Sequence, residues 1–298
     1  MSPRVRILAV VSVAAAAAVA IAVGATLLQS DPPAGPAPPS GEPPLVLDLG
    51  ARDDAEARDL RRAEQLYDDG DEEGAAAIFA RYRSLNARVG LALARWPDGT
   101  VERLEQLAAE EPDSGLVRLN LGFALFWAGR EEEAVEEWRA VRRLDPDSLA
   151  AVRAGDLLFP SFARGLPIFV PGRIEGEVGR RLLAGVRFQQ LGRPLSARRE
   201  YDAAARLAPG DPAALTAAAV ARFDKANPSA AFARLGPLAQ RFPRAPTVRF
   251  HLGLMLLWLG RVDEAKDQLA RAGRLDPADP LAREANRFLA RLESIENG

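Results

Sequence analysis

From residue 56 onward, apolar positions recur every three or four residues, and the blocks they form end at Gly or Pro. That spacing predicts helices with one buried stripe each, broken into pairs at Gly70, Gly129, Gly192, Pro228 and Gly260. Upstream the pattern changes twice. Ile7–Leu28 is an uncharged apolar run rich in Ala and Val, and at about 1.5 Å per residue it spans roughly 33 Å as a helix. Residues 31–44 carry prolines at positions 32, 33, 36, 38, 39, 43 and 44, which remove backbone donors and keep the chain extended and solvated.

The helical part repeats itself. The segment Leu121-Gly122 through Trp127, Gly129-Arg130 and Glu133-Ala134 aligns with Leu252-Gly253 through Trp258, Gly260-Arg261 and Glu264-Ala265. Both run on to Arg-Leu-Asp-Pro, at Arg143–Pro146 and Arg274–Pro277. Pro112 and Pro146 lie 34 residues apart, as do Pro209 and Pro243, and Pro243 and Pro277.

This period, with its small and bulky positions, resembles the tetratricopeptide-repeat family, whose pattern over 34 residues is W-x2-L-G-x2-Y, A-x3-F and P. Residues 115–148 carry Leu121-Gly122, Leu125, Ala134, Trp138 and Pro146 in those places. Residues 246–279 carry Leu252-Gly253, Leu256, Ala265, Leu269 and Pro277, and residues 178–211 carry Ala184-Gly185, Phe188, Ala197, Tyr201 and Pro209. A weaker unit spans 212–245 (Ala219, Ala231, Leu235, Pro243); residues 56–86 carry Ala63, Leu66, Gly70, Ala75 and Phe79 without the closing proline, and a shortened unit over 87–114 ends at Pro112. Arg118, Arg181 and Arg249 stand where the family has tryptophan. The resemblance implies an all-α, right-handed superhelical solenoid of helix-turn-helix repeats over 56–279, and the apolar run Ile7–Leu28 is expected to precede it as a single transmembrane helix.

Physical reasoning reaches the same architecture. Gly122 with Ala134, and Gly253 with Ala265, are small residues where antiparallel helices approach closely. Leu144, Trp138, Leu275 and Leu269 are expected to fill the seam to the next unit. No such pair buries its apolar face alone, so units must stack. Residues 280–298 supply a cap, with Leu281, Ala285, Phe288, Leu289 and Leu292 on one face. Between the regular units, 149–177 is atypical. A helix over Leu149–Leu158 leads into an apolar, proline-broken stretch to Gly172. That stretch is either an extended connector over a seam or a docking loop, with Phe159, Phe162, Arg164, Ile168, Phe169 and Val170 as its contacts.

Charge sets the expected topology. Arg4 and Arg6 precede the apolar run, and Asp31 and Glu42 follow it, so residues 1–6 are expected in the cytoplasm. Residues 7–28 then form a single-pass signal anchor, 29–55 a linker, and the repeats lie outside the cytoplasm. The alternative is a secreted protein cleaved near Val23-Gly24-Ala25. The absence of cysteine excludes disulfides, thiolate metal sites and a lipidated N-terminal cysteine. A formal net charge of −2 gives no basic field for nucleic acid.

Catalytic constellations are not apparent. His251 is the only histidine, no serine sits in Gly-x-Ser-x-Gly, and no P-loop, GxGxxG or HExxH occurs. No cofactor, metal ligand set or small-molecule substrate is indicated, and an enzyme is not expected. In the family the first helix of each repeat lines a concave groove. That implies groove positions Leu116, Leu119, Asn120, Phe123, Phe126 and Trp127 in one unit, and Thr247, Phe250, His251, Leu254, Leu257 and Trp258 in the last. The partner surface expected on this basis is Leu119, Asn120, Phe123, Phe126, Phe250, His251 and Leu254. The two tryptophans suit either the groove or the packing between units. Such a surface fits a protein or peptide with an apolar or helical segment. The expected function is a membrane-anchored scaffold for protein–protein interaction. The alternative is a holder of clients in an assembly system, resembling the repeat part of cytochrome c maturation systems.

Overall fold

A computed structural model describes residues 41–172 and 175–296. The run Ile7–Leu28 and most of the proline-rich stretch lie outside the described residues. Among the described residues there are fourteen helices and no strand, and no helix is long and apolar enough to cross a membrane. The helices divide between two compact units that meet in sequence at Leu158 and Phe159.

The first unit contains α1 (Ala55–Asp68), α2 (Glu72–Phe79), α3 (Leu85–Leu93), α4 (Thr100–Glu110), α5 (Gly115–Trp127), α6 (Glu131–Leu144) and α7 (Leu149–Leu158). Side-chain caps start four of them. Asp54, Asp71, Ser84 and Ser114 accept from the N–H groups of Ala57, Gly74, Ala87 and Val117, which otherwise lack partners at a helix start. Each helix packs on its successor, and α1, α3, α5 and α7 also touch in order, so the first helices of the pairs form one layer.

The second unit contains α8 (Gly176–Gln190), α9 (Pro194–Leu207), α10 (Pro212–Val220), α11 (Ser229–Arg241), α12 (Pro246–Trp258), α13 (Val262–Leu275) and α14 (Pro280–Glu296). Here α8, α10, α12 and α14 form the corresponding layer. The turns inside the best-matching pairs are the same turn repeated. Gly70, Gly129, Gly192 and Gly260 have φ of 81°, 77°, 67° and 69°, and the next N–H in each case returns to the carbonyl five residues back at 2.8–3.0 Å. That left-handed C-cap is open to glycine without the strain a side chain would bring.

Within each of three pairs a glycine lies directly against a bulky side chain of the second helix. A methyl on Gly122 would fall inside the Trp138 indole, and one on Gly185 inside the Tyr201 ring; on Gly253 it would lie 2.8 Å from Leu269 Cγ. Ala134 and Ala265 are fully buried. Trp138 and Leu269, expected at the seam to the next unit, instead pack inside their own pairs against Gly122 and Gly253, while Leu144 is 39% exposed and Leu275 half-buried, each being the last residue of its helix. The cap α14 buries Leu281, Ala285, Phe288 and Leu292 against α12 and α13 and turns Arg283, Arg287 and Glu293 to solvent.

Candidate peptide-binding grooves

In the first unit the layer α1–α3–α5 carries an extended segment of the chain itself. Burial alternates along it. Pro43, Leu45, Leu47 and Leu49 are buried, whereas Glu42, Pro44 and Gly50 are exposed and Val46 and Asp48 half-buried. This is the period of a strand with one face down, and it gives the end of the expected linker an apolar, packed face.

Side chains rather than a neighbouring strand satisfy its backbone. The Val46 N–H donates to Asn120 Oδ1 at 3.0 Å, and Asn120 Nδ2 donates to the Val46 carbonyl at 2.9 Å. Asn86 on α3 does the same for Asp48, at 2.7 and 3.1 Å. Between them, a backbone hydrogen bond joins Leu47 to Glu64 on α1. Burial and the nearby Asp68 raise the Glu64 carboxyl above its ordinary pKa, and the Leu47 hydrogen bond acts the other way. Tyr67 Oη donates to the Pro43 carbonyl at 2.6 Å.

The second unit has a related arrangement. Residues 166–172 are extended, and Ala163, Pro167 and Phe169 are buried along the stretch while Leu166, Ile168 and Val170 are half-buried. The Val170 N–H donates to His251 Nε2 at 2.9 Å, and the Phe169 N–H to Gln189 Oε1 at 3.3 Å. The Phe169 ring stacks on His251 at 4.8 Å and 17°, and meets Tyr201 edge-on at 5.5 Å. Lys225, 4% exposed, donates to the Ala163 carbonyl at 2.6 Å. His251 Nδ1 lies 2.6 Å from the Thr247 carbonyl, so Nδ1 carries the proton and Nε2 is free to accept. Complete burial holds its pKa down at about 4, against the opposing Thr247 hydrogen bond.

Residues 97–155 match the family model described as tetratricopeptide repeat. Over those residues the chain carries tetratricopeptide repeat sequence. A solved structure of a thermophilic TPR protein from Thermus thermophilus is 18% identical, covering 80% of this chain and 98% of that one. Its TM-score is 0.28, a likeness too slight to carry any argument about this chain. No curated protein matches the chain.

Counted within the tetratricopeptide unit, Asn120 and His251 hold the same place, the sixth of 115–148 and of 246–279. The two are the expected groove residues that bond to a covering segment. Leu119, Phe250, His251 and Leu254 are buried to 1% or less, Asn120 fully, Phe123 to 7%, and Phe126 is half-buried. Phe123 and Phe126 meet Trp138 at 5.9 Å each, and Phe250 meets Phe288 of the cap at 5.9 Å. Of the loop residues, Phe169 and Val170 reach His251, Phe159, Phe162 and Ile168 are half-buried, and Arg164 is exposed. Trp127 and Trp258 each bury an indole N–H without a hydrogen-bond partner.

Asn86, Glu64, Tyr67, Gln189 and Lys225 escape sequence reasoning. Asn86 lies one residue before the short unit as spaced from its prolines, so the irregular register hides its place on the groove layer. The tetratricopeptide tryptophan position has its own explanation. Arg118, Arg181 and Arg249 reach Glu137, Glu200 and Gln268 on the second helix of their own pairs, at 2.8, 3.0 and 3.0 Å. A polar tie thus replaces an aromatic wedge. Among the described residues no group of three or more His, Cys, Asp or Glu is placed to hold a metal ion.

Proposed function

We propose that the chain is a membrane-anchored, non-enzymatic scaffold that holds a protein partner on the first-helix layer of its repeats. Tetratricopeptide repeats in general mediate protein–protein interaction. The observation that carries the reading is the pair of carboxamides at Asn86 and Asn120. Each engages both the N–H and the C=O of a single residue, at 2.7–3.1 Å. A site of that kind binds main chain as a strand edge does, and leaves side-chain choice to the pockets between. The anchor rests on Arg4 and Arg6 ahead of Ile7–Leu28, which favours an N-terminus in the cytoplasm and repeats outside it.

Protease added to intact spheroplasts is expected to digest the repeat region of the full-length protein, and alkaline carbonate is expected to leave the intact chain in the membrane pellet. Protection of the repeats, or release by carbonate, would refute the anchored orientation. A photo-crosslinker at residue 126 is expected to give protein adducts in membranes that disappear with Asn86→Ala and Asn120→Ala together. Adducts indifferent to both changes would remove the groove from the function.

A further inference from the structure

We propose that Pro43–Leu49 is a built-in stand-in for the partner: the first unit takes an extended peptide with aliphatic side chains at alternate positions, and its own segment must leave before that peptide binds. The inference rests on the groove reading above and deepens it by naming the partner's chemistry and the intramolecular competitor.

The occupant defines what the site accepts. Leu45, Leu47 and Leu49 are 6–7% exposed, and Pro43 lies on the same face. The opposite face, Pro44, Val46 and Asp48, stays wholly or partly in solvent, so the layer selects every second side chain. The backbone contacts at residues 46, 47 and 48 come from Asn120, Glu64 and Asn86. None depends on the identity of the residue bound. Any peptide with leucine-like side chains at three alternate places satisfies the same donors and acceptors.

The way the segment is held favours a replaceable occupant over a fixed part of the fold. The backbone contacts at residues 43, 46, 47 and 48 run to side chains of three helices, and the Leu49 carbonyl accepts only from the nearby Arg52 N–H. Removing the segment therefore breaks no helix hydrogen bond. Gly41 and Gly50, with φ of 91° and 50°, flank it as backbone joints that non-glycine residues rarely adopt. Leu49 precedes the Asp54 cap of α1 by only five residues, so the tether is short. A short tether gives a local concentration on the order of millimolar, against which an incoming peptide must compete. The site is therefore expected to look nearly closed to free peptide in the intact protein.

The test uses the full-length chain and a fluorescein-labelled peptide of residues 41–51 as probe. Leu45→Ser, Leu47→Ser and Leu49→Ser together are expected to retain the helical circular dichroism and bind the probe at least tenfold more tightly than the wild type. Adding Asn86→Ala and Asn120→Ala is expected to abolish that gain, and a probe with the same three serines is expected not to bind. A triple variant that keeps its helicity and binds no probe overturns the proposal. A triple variant that unfolds also overturns it, since the segment then belongs to the core.

Amide exchange in the wild type asks the same question without a substitution. The Val46 and Asp48 N–H groups are expected to exchange faster than the interior of α5, and faster still with excess probe. Exchange as slow as that of α5 and unmoved by probe overturns the proposal. So does a dimer held by exchange of this segment between copies. Because no cellular partner takes part, failure here leaves the scaffold reading to be decided by crosslinking.

Discussion

Asn120 and His251 stand at the same place in their repeats and meet the same need, the unpaired backbone of an extended segment, with different chemistry. The carboxamide offers a donor and an acceptor and holds Val46 by both. The imidazole spends its proton on Thr247 and has one acceptor left for the Val170 N–H. Protonating Nε2 would set two donors against each other inside a fully buried site, so His251 must stay neutral for the fold to persist. Its pKa falls from 6.5 to about 4 on folding. The unfolded chain therefore binds the proton more readily than the native one. The His251 contribution is complete above pH 6.5 and is lost as pH falls from there through about 4. At 1.36 kcal/mol per unit, this amounts to roughly 3 kcal/mol at the acid end. Urea midpoints of the wild type and His251→Gln between pH 7 and pH 4 are expected to converge as the wild type loses this amount. Parallel curves would mean that His251 does not titrate between the two states.

At the scale of the helix, repeat positions are filled in complementary pairs, and complementarity decides which aromatic is core and which is surface. Gly122 makes room for Trp138, and that indole then receives Phe123 and Phe126. Against Gly253 of α12 the smaller Leu269 of α13 fills the corresponding space, and the fully buried Phe250 turns instead to Phe288 of the capping helix. Phe250→Ser is expected to destabilise the second unit by about 3–5 kcal/mol, read as a lower urea midpoint, because a buried ring is lost and a hydroxyl is left without water. Phe126→Ser, at a half-buried site, is expected to cost clearly less. Equal effects would mean that the two helices bury their aromatics alike. The 34-residue spacing made the pairs, their turns and the cap legible, since each depends on small, bulky or helix-breaking residues close in sequence. It placed Phe250 on a groove because repeat position alone does not say that the last repeat lends that face to a cap.

Across the whole molecule, the helical units and the segments that cover them obey different rules. With a net charge of −2, and with ion pairs such as Arg130–Glu133 and Arg261–Glu264 on exposed side chains, long-range charge contributes little; burial between the packed helices holds each unit together. The segment Pro43–Leu49 adds three buried leucines, largely offset by the entropy of ordering the chain that carries them. A chain shortened to begin at Arg52 is expected to keep its helical circular dichroism while the first unit loses on the order of 1–3 kcal/mol, seen as a lower melting temperature. A melt unchanged by the truncation would show that the segment rests on the layer without stabilising it. Local periodicity is enough to dictate the succession of helix pairs among the described residues, the glycine turns inside the best-matching pairs, the irregular stretch after Leu158 and the amphipathic cap. Folding in three dimensions was needed to lay two extended stretches along the first-helix layers and to bring Asn86, Asn120 and His251 onto them. Strand-like alternation in a proline-bounded segment marks one face as apolar but not the surface it meets. That surface is assembled from residues of three helices, 38 and 74 positions away in sequence for the two asparagine clamps.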